Sequence, residues 1–304
     1  MPRLRYSSLP AWLRLLRPEQ WTKNGVVLAA LFFAYFDPSQ GLVGHALLQP
    51  VLVALSAAAL FCLVSSGIYC FNDWRDREAD RRHPVKCRRP IAAGEISTPR
   101  ALATSFVLLV GGLAASFALS WRFGVAVSAY VALQFAYSLG LKHIPLLDVF
   151  LIATGFVLRA MAGAAVLHVR ISPWLLICTF LLALFLALCK RRVELAGGVK
   201  EGQRRALDGY DAVLLNHLIG IAAAATVVTY ALYTLSHETV VRFNTHALAF
   251  SIPFVIFGIF RYLYLVFTSR GGERPEITLF TDKILVATVF LYGLVVLAAF
   301  ALSR

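Results

Sequence analysis

Long apolar runs alternate with short polar segments along the whole chain. Nine of these runs are interpreted as membrane-spanning helices, because a helix needs roughly 20 apolar residues to cross a bilayer. They cover residues 24–36, 47–71, 101–120, 123–141, 146–167, 173–188, 215–235, 247–267 and 284–302. The first run is the shortest, and an alternative arrangement of eight spans places the tail differently but keeps the same loops.

The polar segments between the runs are too short to form a separate soluble domain. We therefore expect one all-α, polytopic membrane domain over residues 1–304. Its first part, residues 1–22, mixes tryptophans such as Trp12 with arginines such as Arg14, as a helix lying in the membrane interface would. The predicted cytoplasmic loops are residues 72–100, 137–145, 190–214 and 268–283.

The composition supports a membrane location. Of the 304 residues, 59% are hydrophobic and the mean hydropathy is +0.73. These values exclude an ordinary soluble domain. The five cysteines show no paired spacing and lie mostly in apolar segments, so the sequence predicts neither disulfides nor a zinc site.

Basic residues lie mainly on one side of the predicted spans. With the N-terminus in the cytoplasm, 24 of the 29 lysines and arginines fall on or near the cytoplasmic face. This pattern predicts a multi-pass protein of the cell membrane whose C-terminus is outside, and it is compatible with a homo-oligomer. We therefore expect the basic residues behind the net charge of +13 to bind anionic lipids and a polyanionic ligand, and not nucleic acid.

A cluster of acidic residues follows the second apolar run. Asp73, Asp76 and Asp80 fall on one stripe of a helix with about 3.6 residues per turn, and Asn72 is beside them. Clustered carboxylates repel one another, and a divalent cation that prefers oxygen ligands, such as Mg²⁺, removes that repulsion. The stripe therefore predicts a metal site of three aspartates. The alternative is a solvated helix end with local ion pairs, such as Asp73 with Arg77.

Basic residues that suit phosphate follow this acidic stripe. Lys86 and Arg89 are in the first predicted loop, Tyr137 and Lys142 are in the second, and residues 190–192 start the third. Carboxylates that hold Mg²⁺ and cations that hold phosphate oxygens are the two halves of a diphosphate site. A simpler interpretation treats the cations as topology signals and the tyrosine as an interfacial aromatic residue.

Two charged residues lie inside or at the edge of the fifth apolar run. Asp148 and Arg159 are eleven residues apart and so share nearly the same helix face. Charges inside a membrane are costly and usually face a polar cavity, although purely structural pairing with other helices would also place them there. Asp208 and Asp211 look more like a loop leading into the seventh helix than like a second metal site.

The acidic motif of residues 72–80, with Lys86, Arg89-Pro90 and Gly94 behind it, resembles the first aspartate-rich motif of the UbiA superfamily of intramembrane prenyltransferases. The resemblance covers nearly the whole chain. It implies nine helices in a UbiA-like bundle, with an active-site cavity that opens to the cytoplasm and with bound Mg²⁺.

The chain departs from the UbiA pattern after the sixth helix. Typical members carry a second acidic motif there, which binds prenyl diphosphate through a second Mg²⁺. Here residues 190–194 read Lys-Arg-Arg-Val-Glu, which removes a metal site and offers direct contacts to phosphate. Other segments resemble the phosphoribosyltransferase branch of the superfamily, namely Arg17-Pro18-x-Gln20-Trp21-x-Lys23-Asn24, Tyr137-Ser138-x-x-x-Lys142 and Arg261-Tyr262-Leu263-Tyr264.

This second resemblance implies transfer of a 5-phosphoribosyl group from phosphoribosyl diphosphate to a polyprenyl phosphate such as decaprenyl phosphate, for a cell-wall arabinan precursor. Asn72, Asp73 and Asp76 are then the expected catalytic residues, because Mg²⁺ on the stripe would neutralise the pyrophosphate leaving group. Tyr137 would meet the ribose or its phosphate, and Arg159 and Arg261 the lipid phosphate. The other expected substrate-binding residues are Lys23, Asn24, Lys86, Arg89, Lys142, Asp148, Lys190 and Arg191.

Two other functions fit parts of the pattern. An aromatic or quinone-precursor prenyltransferase of the same superfamily would take prenyl diphosphate as its donor, but the basic third loop argues against it. A non-enzymatic lipid transporter or scaffold would use the same cations to bind phospholipid, but that function leaves the clustered carboxylates unexplained.

Overall fold

The computed structural model describes residues 9–40, 47–196, 209–268, 278 and 281–302 of the chain. Every regular element in these residues is a helix, which confirms the predicted all-α class. The α-helices are α1 (Ala11–Leu16), α2 (Ala29–Phe36), α3 (Leu48–Arg75), α4 (Arg77–Arg82), α5 (Thr98–Leu119), α6 (Trp121–Leu139), α7 (Leu147–Leu167), α8 (Pro173–Ala196), α9 (Ala212–Leu235), α10 (His237–Phe243), α11 (Ile252–Thr268) and α12 (Lys283–Ala301). Short 3-10 helices cover Pro18–Leu28, Pro38–Gln40, Lys86–Arg88, Leu141–His143 and Ala247–Ser251.

Seven of the described helical segments are long and apolar enough to cross a membrane. They are α3, α5, α7, α8, α9, α12 and the segment Ala247–Thr268, which contains α11. The predicted span at 24–36 is instead divided between the 3-10 helix Pro18–Leu28 and the eight residues of α2. The predicted span at 123–141 corresponds to α6, which has 19 residues. The protein is an integral membrane protein with multiple apolar helices, and the number of nine spans stays a prediction.

The helices present large apolar side chains on their outer surfaces. Phe106, Ile221, Phe250 and Phe290 are between 64% and 73% exposed. In water such a surface would favour association, whereas in a bilayer it contacts lipid tails of the same polarity. The exposure pattern therefore agrees with the membrane location that the hydropathy predicts.

The two largest buried clusters among the described residues connect the helices of the bundle. One joins the 3-10 helix Pro18–Leu28 to α3, α6 and α7 around Phe61 and Tyr130. The other joins α7, α8, α9, α11 and α12 around Phe185 and Tyr262. Because α7 contributes to both clusters, it connects the two halves of the bundle.

The N-terminal segment is fastened to α3 by hydrogen bonds. Ser66 Oγ donates to the Leu16 carbonyl at 2.8 Å and accepts from Trp21 Nε1 at 3.0 Å. Leu15 is fully buried while Trp12 is exposed, so α1 has the two faces of an interfacial helix. These contacts position the chain from residue 17 onward beside the last turns of α3.

Gly163 of α7 faces the backbone of the 3-10 helix, and a Cβ at position 163 would overlap the Val27 carbonyl. Gly163→Ala is expected to destabilise the protein by about 1–3 kcal/mol, because a backbone carbonyl cannot turn aside as a flexible side chain does. Thermal unfolding in detergent measures this loss. Gly111→Ala is the matched control, since a Cβ at position 111 meets nothing within 4 Å. Equal melting temperatures for the two variants would contradict the close approach.

Candidate active site

The acidic stripe lies where α3 ends and α4 begins. Asn72 and Asp73 are in the last turn of α3, Asp76 is between the two helices, and Asp80 is in α4. Helical hydrogen bonding continues across the break, because the Asp76 N–H donates to the Asn72 carbonyl and the Asp80 N–H to the Asp76 carbonyl, both at 2.9 Å. The spacing expected for one helix is therefore kept, although Asp76 itself is outside both helices.

Two arginines pair with the buried carboxylates of the stripe, and one of them, Arg89, bridges Asp73 and Asp80. Asp73 Oδ1 accepts a hydrogen bond from Arg17 and lies 3.1 Å from Arg89 Nη1. The same nitrogen of Arg89 donates to Asp80 Oδ2. Burial raises the pKa of Asp80 against the opposing effect of Arg89, and burial together with the Arg17 charge lowers the pKa of Arg89. The four side chains thus form one electrostatically coupled group.

The last turn of α6 and the segment after it reach the same group. Lys142 Nζ donates to the two carboxylate oxygens of Asp76 at 2.6 and 2.8 Å, and Ser138 Oγ donates to Asn72 Oδ1. Lys142 is 6% exposed, so Asp76 and not water compensates most of its charge. The structure therefore brings the first and second predicted loops together. We use the name charge cluster for Arg17, Asp73, Asp76, Asp80, Arg89 and Lys142.

One carboxylate oxygen of the charge cluster lacks a hydrogen-bond partner. Asp73 Oδ2 is buried and accepts no hydrogen bond from the described residues, which is costly unless a ligand completes the site. In the part of the chain that the structure describes, no three His, Cys, Asp or Glu side chains are arranged to hold a metal ion, since the aspartates face basic side chains. The residue types nevertheless fit Mg²⁺, which prefers carboxylate oxygens, and a bound cation would satisfy the unpaired oxygen.

Arg191, the second residue of the predicted third loop, is held by carboxylates of the protein at the end of α8. Arg191 Nε donates to Asp148 Oδ2 at 2.6 Å, and Arg191 Nη1 donates to Glu194. The side chains of Arg191 and Asp148 are 1% and 0% exposed. The structure therefore places these two predicted substrate-binding residues in a buried ion pair that connects α7 to α8. Residues 197–208 of this loop lie outside the described residues.

More than half of the chain matches the model of a known family. Residues 25–197 match the model of the UbiA prenyltransferase family. The chain belongs to this family. It is 36% identical to the decaprenyl-phosphate phosphoribosyltransferase of Corynebacterium glutamicum, over 90% of this chain and 81% of that protein. It is also 35% identical to the decaprenyl-phosphate phosphoribosyltransferase of Mycolicibacterium smegmatis, over 90% of this chain and 87% of that protein.

A solved UbiA structure has the same fold. The structure of a UbiA homolog from Archaeoglobus fulgidus bound to GPP and Mg²⁺ has a TM-score of 0.70 and 21% sequence identity to this chain. The similarity covers 96% of this chain and 99% of that one. The UbiA fold expected from the acidic motif is thereby confirmed.

In this UbiA domain a second buried arginine is held by neutral groups. Arg159 donates to Asn24 Oδ1 at 2.9 Å, to the Gly155 carbonyl at 3.0 Å and to the Tyr130 hydroxyl at 2.8 Å. Asn24 in turn donates to Ser65 Oγ at 3.1 Å. The sequence predicts that Asn24 and Arg159 bind substrate, and the structure places them in contact with each other inside the bundle, with Arg159 4% exposed.

Arg261 of α11 pairs with Asp282, the residue before α12. Its Nε and Nη2 donate to Asp282 Oδ1 and Oδ2 at 3.1 and 2.8 Å. Asp282 caps α12 by accepting from the Leu285 N–H at 2.8 Å, and the hydrogen bond from Arg261 lowers the pKa of Asp282. The structure thus gives Arg261 a helix-capping ion pair, where the sequence predicts contact with a lipid phosphate.

Four further predicted site residues are partly exposed, namely Lys23, Lys86, Tyr137 and Lys190. Burial raises the pKa of Asp80, and Lys86 lies close enough to that carboxyl for its charge to oppose the rise. Asp211 caps α9 by accepting from the Leu214 N–H at 2.8 Å, which agrees with a loop that leads into a helix. Asp208 lies outside the described residues.

Several residues contact the predicted site residues although the sequence does not select them, among them Arg17, Ser138 and Tyr210. Arg17 has a φ of 53° directly after α1, and its place at the start of the Arg17-Pro18 motif is a sequence signal that could have identified it. Tyr210 donates to Asp148 from 62 residues away. No local pattern predicts such a contact, because it forms only when α7 and the segment before α9 meet.

Proposed function

We propose that this protein transfers the 5-phosphoribosyl group of phosphoribosyl diphosphate to a polyprenyl phosphate, such as decaprenyl phosphate, and releases pyrophosphate. The observation that carries this proposal is the similarity, over 90% of the chain, to two relatives named decaprenyl-phosphate phosphoribosyltransferase. The basic residues at 190–194, where typical members have a second acidic motif, support the same choice of substrates. The product would be a precursor of cell-wall arabinan.

The donor diphosphate would bind at the charge cluster. Mg²⁺ held by Asp73, Asp76 and Asp80 would supply positive charge that stabilises the pyrophosphate leaving group. Arg17 and Lys142, which face these carboxylates, would then contact phosphate oxygens, as would Arg89. This proposal explains why acidic and basic side chains of similar number meet at one place and why Asp73 Oδ2 has no partner among the described residues.

The reaction would exchange one bond at C1 of the ribose. The bond from C1 to the pyrophosphate oxygen breaks, and an oxygen of the lipid phosphate forms a bond to C1 from the opposite face. The lipid phosphate is already anionic near neutral pH, so no strong general base is needed. The chain contributes mainly by positioning the substrates and stabilising the leaving group. Asn72, which Ser138 orients, and Tyr137 would contact the donor.

The acceptor would approach from the membrane. Its isoprenoid tail would lie along apolar helix surfaces, and its phosphate would reach the partly exposed Lys23, Lys86 and Lys190. We propose a single membrane domain with nine spans, whose N-terminus and charge cluster face the cytoplasm, since 24 of 29 basic residues fall on or near that side. A water-soluble, polyanionic donor would then reach the site from the cytoplasm. The reaction itself requires neither a monomer nor a homo-oligomer.

A paired transfer assay tests this function. The purified protein receives Mg²⁺ and polyprenyl phosphate with radiolabelled phosphoribosyl diphosphate in one mixture, and radiolabelled prenyl diphosphate with 4-hydroxybenzoate in another. We expect label to enter the lipid fraction only in the first mixture, and to stay in water when EDTA removes the metal. Product in the second mixture alone would refute the proposal in favour of an aromatic prenyltransferase. Product in neither would refute both enzymatic functions.

A further inference from the structure

The hydroxyl of Tyr210 joins two groups at the start of α7. It accepts a hydrogen bond from the Leu146 N–H at 2.6 Å and donates to Asp148 Oδ1 at 2.8 Å. Burial raises the pKa of Tyr210, so the hydroxyl keeps its proton and remains a donor. The second oxygen of Asp148 is held by Arg191 at 2.6 Å. Both the tyrosine and the carboxylate are therefore fixed in orientation.

Leu146 needs such support because its backbone is strained. Its φ is 66° and its ψ is −46°, and the Leu147 N–H donates to the Pro145 carbonyl at 2.8 Å across it. This combination is a γ-turn with positive φ, which is rare and unfavourable for a residue with a side chain. Such a conformation persists where surrounding contacts impose it, and Tyr210 supplies one of them directly on the Leu146 N–H.

The strained turn ends the segment that carries Lys142. Lys142 lies in the 3-10 helix Leu141–His143, four residues before Leu146, and its ammonium group holds Asp76 at 2.6 Å. A Cβ at Gly209 would overlap the Pro145 ring, so Gly209, next to Tyr210, packs directly on this segment. The direction of the turn therefore determines where the lysine meets the charge cluster.

We propose that Tyr210 is a positioning residue for the donor site. By holding the turn at Leu146 it keeps Lys142 opposite Asp76, where the diphosphate of phosphoribosyl diphosphate would bind. This inference rests on the proposed function. It assigns an indirect role in donor binding to Tyr210 and to the Asp148–Arg191 pair.

The conservative variant Tyr210→Phe isolates the hydroxyl. The ring stays in the cluster that it shares with Val149 and Leu215, so we expect a folded protein. We expect the KM for phosphoribosyl diphosphate to rise about 3- to 10-fold, the equivalent of one hydrogen bond, with kcat within about twofold of wild type. Tyr292→Phe is the matched control, because it removes the hydroxyl that accepts from Tyr230 at 3.2 Å in another part of the bundle. Its donor KM should be unchanged.

A second variant tests whether Tyr210 affects donor binding through the turn at Leu146. Leu146→Gly allows a positive φ without steric cost, and Leu146 is 42% exposed, so little packing is lost. If Tyr210 acts by holding the turn, the double variant Leu146→Gly/Tyr210→Phe should regain most of the donor affinity that Tyr210→Phe loses. A donor KM as high in the double variant as in Tyr210→Phe would overturn the proposed link through Leu146.

These experiments distinguish a failure of the positioning role of Tyr210 from a failure of the proposed function. Wild-type protein that transfers no phosphoribose would refute the function itself. An active wild type together with an unchanged donor KM in Tyr210→Phe would overturn the positioning role alone. A fall in kcat and melting temperature without a change in donor KM would also overturn it, since that result describes a purely structural residue.

Discussion

Asp76→Asn is expected to lower phosphoribosyl transfer by about 10³-fold, because it removes one of the negative charges proposed to hold Mg²⁺ against the leaving group. The amide has nearly the same shape, its oxygen can still accept a hydrogen bond from Lys142, and the Asp76 side chain is 36% exposed, so the variant should fold. The measurement is the initial rate at saturating Mg²⁺ and phosphoribosyl diphosphate, with folding followed by thermal unfolding in detergent.

Glu78→Gln is the matched control for Asp76→Asn. Glu78 is in α4, close to the acidic stripe, but its side chain is 62% exposed and pairs only with neighbouring arginines in the described structure. Surface pairs of this kind contribute little, and the control should retain wild-type rates. A near-normal rate for Asp76→Asn at saturating Mg²⁺ would exclude Asp76 from the metal site.

Arg191→Met is expected to destabilise the protein by about 3–5 kcal/mol, because it leaves the buried Asp148 carboxylate without its cation. Methionine fills a similar volume, so the loss should come from charge more than from packing. The free energy of unfolding in detergent measures this effect. Arg192→Met is the control, since Arg192 makes an exposed hydrogen bond to Asn216 and its loss should change stability little.

A compensating substitution separates the two roles proposed for Arg191. Adding Asp148→Asn to Arg191→Met removes the unpaired charge and should recover much of the lost stability. If Arg191 instead contacts the donor phosphate, as its place in the third loop predicts, Arg191→Met would keep the wild-type melting temperature and raise the KM for phosphoribosyl diphosphate. That result would contradict a structural role.

The acidic stripe shows what local sequence predicts well. Asp73, Asp76 and Asp80 are three and four residues apart, and such spacing brings side chains to one helix face in any fold. The structure keeps the helical hydrogen bonds across the break at Asp76. The prediction that these three aspartates lie close together therefore needed only the geometry of a single helix.

The contacts of the basic residues show what the local sequence cannot predict. Lys142, which the sequence predicts to bind phosphate, pairs with Asp76 of the acidic stripe across 66 residues. Arg191 and Arg261 have the same kind of sequence signal, but they pair with Asp148 and Asp282. A basic residue at a helix end is equally suited to a phosphate and to a carboxylate, and only the position of the partner helix distinguishes them.

The sequence by itself determined the all-α class, the membrane location, the family and the acidic stripe, because these depend on hydropathy, helical periodicity and a short motif. Only the tertiary structure decided which charges face one another. It brought Arg17 to Asp73 across 56 residues and placed Arg191 in a buried ion pair with Asp148. Contacts of this kind form between helices whose packing depends on the whole bundle, and a buried charge takes whichever opposite charge the packing places beside it.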